Sequence, residues 1–254
     1  PYCVNVQGLG TAFQKIGLAQ LVAFMYKTAL KESKVTFFEN EGNLKAFLDR
    51  KIISADNACL LNGAGVNLER YTYCEYPNNE KIRFLYLGRI MKEKGVDELF
   101  AASEKLFAEG VDFKLDLVGF FEEEYKQTVS TLEEKGIAKF YGFMQDPRPC
   151  YNECDCVVLP SYHEGMSNVL LESAAVGRPI ICSDICGCRE TVVKDVSGFL
   201  CKVKDVETLA DAMRRICSLS REQRAELGKQ GRKHIEENFE KSKIVEQTIN
   251  AILK

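Results

Sequence analysis

Short apolar runs alternate with longer segments of mixed polarity through most of the chain. The apolar runs predict six strands, at 83–87, 113–118, 139–141, 156–159, 179–182 and 198–201. The segments between them carry apolar residues at helical spacing, for example Leu99, Phe100 and Leu106 within 96–109. Short strands that alternate with helices predict an α/β fold with a doubly wound parallel sheet.

The first 76 residues show the same alternation on a smaller scale. Their pattern predicts helices at 12–31 and 41–50, and strands at 34–38 and 58–61. A polar, irregular stretch at 71–81 predicts a hinge between two domains. We therefore assign 1–76 to a partial first domain, 77–238 to a complete second domain, and 239–254 to a final helix that crosses back to the first.

The segment from Ile16 to Leu30 is unusually apolar, with hydrophobic residues on nearly every side of the predicted helix. A helix of that kind is usually fully buried. It is shorter than the roughly 18 residues of a membrane span, and it lacks the dense basic stripe of a surface-binding helix. Burial is the first interpretation, and peripheral association with a membrane stays open as the second.

Charge and cysteine content narrow the class of protein. The net charge is −3, which gives no support to a general nucleic-acid binder. The eleven cysteines are scattered, and several lie in predicted strands: Cys59, Cys156, Cys182 and Cys201. We interpret them as reduced core residues of a cytoplasmic protein. The chain has only two histidines, so a zinc site is not predicted.

Candidate chemistry begins where the strand at 156–159 runs into a polar turn and then a helix. Glu164 lies at the mouth of this helix, and Glu172 lies two turns further, about 80° around it. The amides of the first turn, from Gly165 to Asn168, would point toward an anion or a hydroxyl. Spacing alone leaves a second interpretation open, a capped surface helix with two solvated carboxylates.

Two cations follow the strand at 83–87. Arg89 and Lys94 precede a predicted helix, where positive charge is disfavoured by the helix dipole. Their position suggests an anion between them, with Arg supplying a planar fork and Lys a compact charge. The alternative is that both are solvated charges at the start of a helix.

Several segments together carry a family resemblance. Residues 164–180 (EGMSNVLLESAAVGRPI) resemble the EX7E signature of retaining glycosyltransferases of family GT4, the glycosyl transferases group 1, which have the GT-B fold. Residues 88–95 (GRIMKEKG) resemble the family's G-R-x-x-x-x-K-G segment. Residues 62–67, 155–161 and 187–190 resemble further segments in the expected order. The sequence of these segments is most similar to that of bacterial enzymes that build surface polysaccharides and lipid-linked oligosaccharides.

This resemblance implies a GT-B fold and a sugar transfer that retains the anomeric configuration. The donor would be a nucleotide sugar, with UDP as the nucleotide, and the acceptor a glycan or a lipid-linked glycan. No metal and no cofactor are expected, because cations and helix amides of the protein do that work in the family. Family members carry a complete first domain, so we expect this chain to be N-terminally incomplete and inactive alone.

The resemblance also implies roles for individual residues. Glu164 would hold sugar hydroxyls, Glu172 the ribose hydroxyls, and Arg89 and Lys94 the diphosphate, which makes Glu164, Arg89 and Lys94 the implied catalytic residues. The implied donor-binding set is Gly88, Arg89, Lys94, Phe143, Met144, Glu164, Gly165, Met166, Ser167, Asn168, Val169 and Glu172.

Phe143 and Met144 would flank the base, although plain core packing explains them equally well. Phe120 and Phe121 follow Gly119 where the family often has Gly-x-Gly, so no phosphate contact is assigned to that loop.

Two other functions compete with the transferase. One is a catalytically silent nucleotide-sugar-binding fragment, which the incomplete first domain favours for this chain as it stands. The other is a sugar-nucleotide epimerase of GT-B shape. The two carboxylates Glu164 and Glu172, together with Arg89 and Lys94, favour the transferase over the epimerase.

Overall fold

Two parallel sheets organise the chain, in a computed structural model that describes residues 2–9, 13 and 16–253. The smaller sheet has the strand order β1-β2-β3, with β1 at Tyr2–Val6, β2 at Ser33–Phe38 and β3 at Ala58–Leu60. Helices α1, Ile16–Ala29, and α2, Glu41–Asp49, connect these strands. The helix start predicted at residue 12 lies outside the described residues.

The larger sheet has six parallel strands in the order β6-β5-β4-β7-β8-β9. They are β4 Ile82–Leu87, β5 Phe113–Val118, β6 Ala138–Phe140, β7 Cys156–Leu159, β8 Ile180–Ser183 and β9 Gly198–Cys201. The strand order reverses between β4 and β7, which pair directly. In open α/β sheets the ligand crevice lies beyond the carboxyl ends of the strands at such a reversal. The segments that follow β4 and β7 therefore border the expected crevice.

Helices cover both faces of the larger sheet. They are α3 Val96–Ala108, α4 Lys126–Glu134, α5 Arg148–Glu153, α6 Asn168–Val176, α7 Val206–Ser218 and α8 Arg221–Asn238, and α9, Lys241–Leu253, ends the chain. Local sequence fixes several helix starts. Asp205 accepts a hydrogen bond from the backbone of Thr208, and Ser220 and Gln223 form a reciprocal capping box.

Residues 71–77, which join the two sheets, have no regular secondary structure but are held along their length. Arg178 is fully buried and donates five hydrogen bonds to backbone carbonyls, those of Cys74, Glu75, Tyr151, Asn152 and Gly177. Arg232 donates to the carbonyl of Tyr71, and Arg221 to the carbonyls of Tyr76 and Pro77. A hinge within this stretch would have to break these bonds.

The chain crosses between the two sheets twice, and the two crossings meet. The Val66 amide donates to the Phe239 carbonyl at 2.8 Å, and the Lys241 amide donates to the Val66 carbonyl at 3.0 Å. Beyond this point α9 lies against the smaller sheet, where Ile244 packs with Phe37 and Leu61.

Helix α1 is less buried than its composition predicts. One side of it packs toward Phe47 through Ala23, Tyr26 and the following Leu30, whereas the opposite side exposes Leu18, Leu21, Phe24 and Met25, with Phe24 68% exposed. The expectation of a fully buried helix is therefore wrong. The side of α1 that carries Leu21, Phe24 and Met25 is exposed because, within the described residues, nothing packs against it. Across that same part of the chain, none of the helices combines the length and apolarity needed to span a membrane.

Candidate functional site

Close backbone contacts hold the loops after β4, β7 and β8 together. Gly95 adopts φ 71°, and a Cβ there would lie 2.0 Å from the Pro160 carbonyl oxygen. Gly187 adopts φ 88°, and a Cβ there would lie 2.1 Å from the Gly165 carbonyl oxygen. Only glycine combines a left-handed backbone with so close an approach. These two positions therefore fix how the loops face one another.

Lys94 and Glu164 meet at the centre of this arrangement. The Lys94 Nζ lies 2.6 Å from Glu164 Oε1, and the Ser161 hydroxyl donates to the same oxygen at 2.8 Å. Both charged side chains are largely shielded from solvent, so their attraction is screened less than that of a surface pair. The structure thus joins two predicted site residues that are 70 positions apart in the chain.

Arg89 belongs to the same loop as Lys94, and its side chain is exposed to solvent. Its carbonyl accepts a hydrogen bond from the Tyr86 hydroxyl at 2.5 Å. Burial raises the pKa of Tyr86 well above its usual range, with Glu164 adding to the rise and Arg89 opposing it. In the part of the chain that the structure describes, the Arg89 guanidinium has no ion pair. The Arg89 guanidinium is therefore available to an incoming anion.

The loop before α6 has already used part of its hydrogen-bonding capacity. Ser167 is the N-cap of α6 but its side chain makes no capping bond, and its amide donates to the Gly187 carbonyl at 2.9 Å. The Met166 amide donates to the carboxylate of Glu39, which belongs to the first domain. Of the four amides predicted to face a ligand, these two are satisfied by the protein itself.

Glu172 is not the solvated surface acid that spacing alone allowed. The Tyr151 hydroxyl donates to Glu172 Oε2 at 2.8 Å, and the Tyr71 hydroxyl also donates to this carboxylate. Burial raises the pKa of Glu172, opposed by the two tyrosine hydrogen bonds and by the nearby Arg70. Glu172 borders a cavity of about 250 Å³ shared with Asn168. Neither tyrosine was predicted from the sequence, because only the fold brings them to the carboxylate.

Phe143 and Met144 differ in their surroundings. Phe143 is 71% exposed, and its ring centroid lies 6.5 Å from that of Phe120, which is 54% exposed. Met144 packs partly into the core, with its sulfur 3.3 Å from Cys150 Sγ. Core packing therefore explains Met144 but not Phe143. Two exposed aromatic rings beyond the ends of β5 and β6 offer a stacking surface that includes the unpredicted Phe120.

A second cavity, of about 320 Å³, lies where the first domain approaches α6. Its lining comes from both domains: Gln7, Gly8, Glu39, Ala64, Gly165, Met166 and Asn168. Asn40 Nδ2 donates to the Gly165 carbonyl at 2.7 Å across the same contact. Glu39 and Asn40 were not predicted as site residues. In the sequence they are only a Glu-Asn pair directly after a buried strand. Such a pair does not indicate a binding site until the fold shows which residues lie opposite it.

Volume alone does not locate the site. A larger groove of about 780 Å³ lies between the smaller sheet and α9, lined by Lys34, Asp56 and Lys243 among others, and contains none of the predicted residues. We place the candidate site at the crevice because its charges and sheet topology converge there. Within the ranges the structure describes, no three or more His, Cys, Asp and Glu side chains cluster as a metal site would require. The roles given to individual residues stay predictions.

Several known proteins are similar to this chain over much of its length. A profile of the glycosyl transferases group 1 family matches residues 75–234. The capsular polysaccharide biosynthesis glycosyltransferase CapM of Staphylococcus aureus is 29% identical over 69% of this chain and 48% of its own length. An α-1,3-N-acetylgalactosaminyltransferase of Campylobacter jejuni, which acts on N,N'-diacetylbacillosaminyl-diphospho-undecaprenol, is 29% identical over 81% of this chain and 58% of its own length. The chain thus spans about half the length of these relatives.

Solved structures share the architecture. The sucrose-phosphate synthase of Thermosynechococcus elongatus superposes with a TM-score of 0.80 at 24% identity, over 98% of this chain and 66% of its own. Anabaena HepE, in complex with UDP and glucose, superposes with a TM-score of 0.83 at 16% identity, over 100% of this chain and 72% of its own. The expected GT-B architecture is therefore confirmed. With the profile match covering more than half of its residues, the chain belongs to the glycosyl transferases group 1 family.

Proposed function

We propose that this chain contributes the donor site of a retaining glycosyltransferase, which transfers a sugar from a UDP-sugar to a growing glycan or lipid-linked acceptor. The observation that carries the proposal is the group formed by Arg89, Lys94 and Glu164 at the strand reversal of the larger sheet. An available cation beside a shielded ion pair suits a ligand that is both anionic and rich in hydroxyls.

The leaving diphosphate explains the two cations. When the bond between the sugar C1 and the phosphate oxygen breaks, the electron pair stays on that oxygen, and fixed positive charge lowers the barrier. Arg89 can bind a phosphate with a planar fork. Lys94 has three donors, so it can bind phosphate while keeping its bond to Glu164. The acceptor hydroxyl attacks from the same side and passes its proton to the departing phosphate oxygen. In this scheme the protein cations act without a metal ion.

The rest of the donor fits the neighbouring features. Glu172 suits the ribose, because a carboxylate accepts hydrogen bonds from two vicinal hydroxyls, and Tyr151 fixes its orientation. Phe143 and Phe120 suit the base. HepE is described with UDP and glucose bound, which supports UDP as the nucleotide.

The Campylobacter jejuni relative acts on a diphospho-undecaprenol substrate, which supports a lipid-linked acceptor. An enzyme with such an acceptor would work at the cytoplasmic face of a membrane. The exposed apolar side of α1 would suit peripheral contact there.

Calorimetric titration with UDP, with and without EDTA, tests the donor site. We expect Arg89→Ala and Lys94→Ala each to weaken binding by about 1.5–3 kcal/mol, and EDTA to change nothing. Lys92→Ala is the matched control, since Lys92 is an exposed cation in the same loop. Binding lost in EDTA, or unaffected by the double substitution, would contradict the proposal.

The two carboxylates should separate nucleotide from sugar. Glu172→Ala is expected to weaken UDP and UDP-sugar binding alike, because both ligands contain ribose. Glu164→Ala is expected to spare UDP affinity and to reduce transferase turnover. Equal losses of UDP affinity in both variants would show that the roles are wrongly assigned.

A catalytically silent nucleotide-sugar-binding fragment is the second candidate. It is favoured by the uncovered apolar side of α1. The two candidates share the donor site and differ in turnover. Release of UDP from a UDP-sugar by this chain, abolished by Glu164→Ala, would decide for the transferase.

A further inference from the structure

Glu39 is a carboxylate of the first domain that reaches the second. It follows β2 directly and is only 7% exposed. Asn5 Nδ2 donates to Glu39 Oε1 at 3.2 Å, and the Met166 amide, in the loop before α6, donates to the same carboxylate. Nothing in the roles assigned above uses this side chain.

The two domains are in direct contact at this point. A Cβ on Gly165 would lie 2.1 Å from the Gln7 carbonyl oxygen and 2.9 Å from Glu39 Oε2. Asn40 donates to the Gly165 carbonyl from the same side. The absence of a side chain at position 165 therefore brings Glu39 to the residue that follows Glu164.

Glu39 also lines the cavity of about 320 Å³ between the domains. The second domain lines the same cavity with Gly165, Met166 and Asn168, which the family resemblance includes in the donor-binding set. A sugar hydroxyl in this cavity would therefore lie within the lining that Glu39 shares with the loop before α6.

The chemistry of Glu39 asks for a further donor. Through the described ranges of the chain no cation pairs with it, and its partners are one side-chain amide and one backbone amide. An ionised carboxylate has about four acceptor positions, and a buried one is costly unless they are filled. Burial accordingly raises the pKa of Glu39. A hydroxyl in the cavity would supply a neutral donor, and a pyranose presents several.

We propose that Glu39 accepts a hydrogen bond from a hydroxyl of the transferred sugar, and that it thereby helps to select the donor sugar. This inference rests on the proposed function. It gives the first domain a part in reading the donor, in addition to whatever part it has in holding the acceptor.

Binding of UDP, UDP-glucose, UDP-galactose and UDP-N-acetylglucosamine to the chain and to its Glu39→Gln variant tests the inference. We expect UDP affinity to be unchanged, whereas the advantage of the best UDP-sugar over UDP falls about 10- to 100-fold, the range for a lost bond to a charged group. Glu41→Gln is the matched control, an exposed acid two positions away. Glu39→Asp, which keeps the charge on a shorter side chain, gives a second variant should Glu39→Gln fold poorly, and should change the ranking of the sugars.

Three outcomes would overturn the inference. An unchanged ratio would show that Glu39 does not contact the sugar. Equal losses for UDP and UDP-sugars would show that Glu39 only clamps the domains. Wild-type affinity no higher for any UDP-sugar than for UDP would show that the cavity holds no sugar. If the wild type binds none of the four nucleotides, the proposed function itself fails, and this inference with it.

Discussion

The two sheets are built on the same alternation of strand and helix, but they differ in how well their apolar surface is covered. In the larger sheet, helices close both faces, and the central strands β4 and β7 hold residues with no exposed surface. In the smaller sheet, α1 has a packed side and an uncovered apolar side. Patterning therefore predicts which elements form, whereas the stability of each region depends on what packs against them.

The largest expected effect concerns Arg178, which holds the connecting segment 71–77 to the larger domain. Arg178→Met removes all five hydrogen bonds that this fully buried side chain donates to carbonyls, and the expected loss is about 3–5 kcal/mol of unfolding free energy. Urea denaturation measures it. Arg148→Met is the control, because Arg148 bonds only to Asp146 at the surface, and it should leave the midpoint unchanged. Equal losses of stability in the two variants would contradict this role of Arg178.

A pair of substitutions in and near α1 sharpens the contrast within the smaller sheet. Leu30 is buried, and Leu30→Ala is expected to cost about 2–4 kcal/mol. Phe24 is mostly exposed, so Phe24→Ser should cost little stability and should reduce self-association. Hydrogen exchange and light scattering are the measurements. A large loss of protection in Phe24→Ser would mean that its side of the helix is covered after all.

Asn40 links the two regions with one side chain. Its oxygen caps α2 by accepting from the Asn43 amide at 2.8 Å, and its Nδ2 donates to the Gly165 carbonyl. Asn40→Asp keeps the cap and loses the link, whereas Asn40→Ala loses both. We expect each loss to cost about 1 kcal/mol, with exchange in α2 faster only in Asn40→Ala. Faster exchange in both variants would contradict this division.

The smallest expected effect is a pH dependence inside the larger region. Burial raises the pKa of Glu172 above 4.5, so the folded chain holds this proton where the unfolded chain releases it. The free energy of unfolding therefore falls as pH rises from 4.5 through the raised pKa. Glu172→Gln removes that loss and should be more stable than the wild type at pH 8, but not at pH 4. Denaturation at the two pH values checks this, and a larger fall with pH in the variant would contradict it.

Most of the strands and helices could be predicted from the local sequence pattern. Most of the hydrogen bonds and ion pairs of the site could not. The strands at 113–118, 156–159 and 198–201 match β5, β7 and β9, because alternation of short apolar runs is a local signal. The ion pair between Lys94 and Glu164 joins two separate motifs; the family resemblance assigned both residues to one donor site but did not predict that they pair. Glu39 gave no such signal, because its meaning depends on the Met166 amide, more than a hundred positions away. Tyr151 and Arg178 escaped notice for the same reason: their hydrogen-bond partners are set by the fold.

The meeting of the two chain crossings constrains how the domains can move. The Val66 carbonyl accepts from Lys241 and the Val66 amide donates to Phe239. The segment that leaves the smaller sheet and the segment that returns to it are therefore held together at this one residue. Rotation of the two domains about this point would have to break the contacts of Glu39 and Asn40 with the loop before α6. A small angular change there becomes a larger displacement at the far edge of the crevice. The distance from Glu39 to the α6 loop would then act as the gauge of that angle.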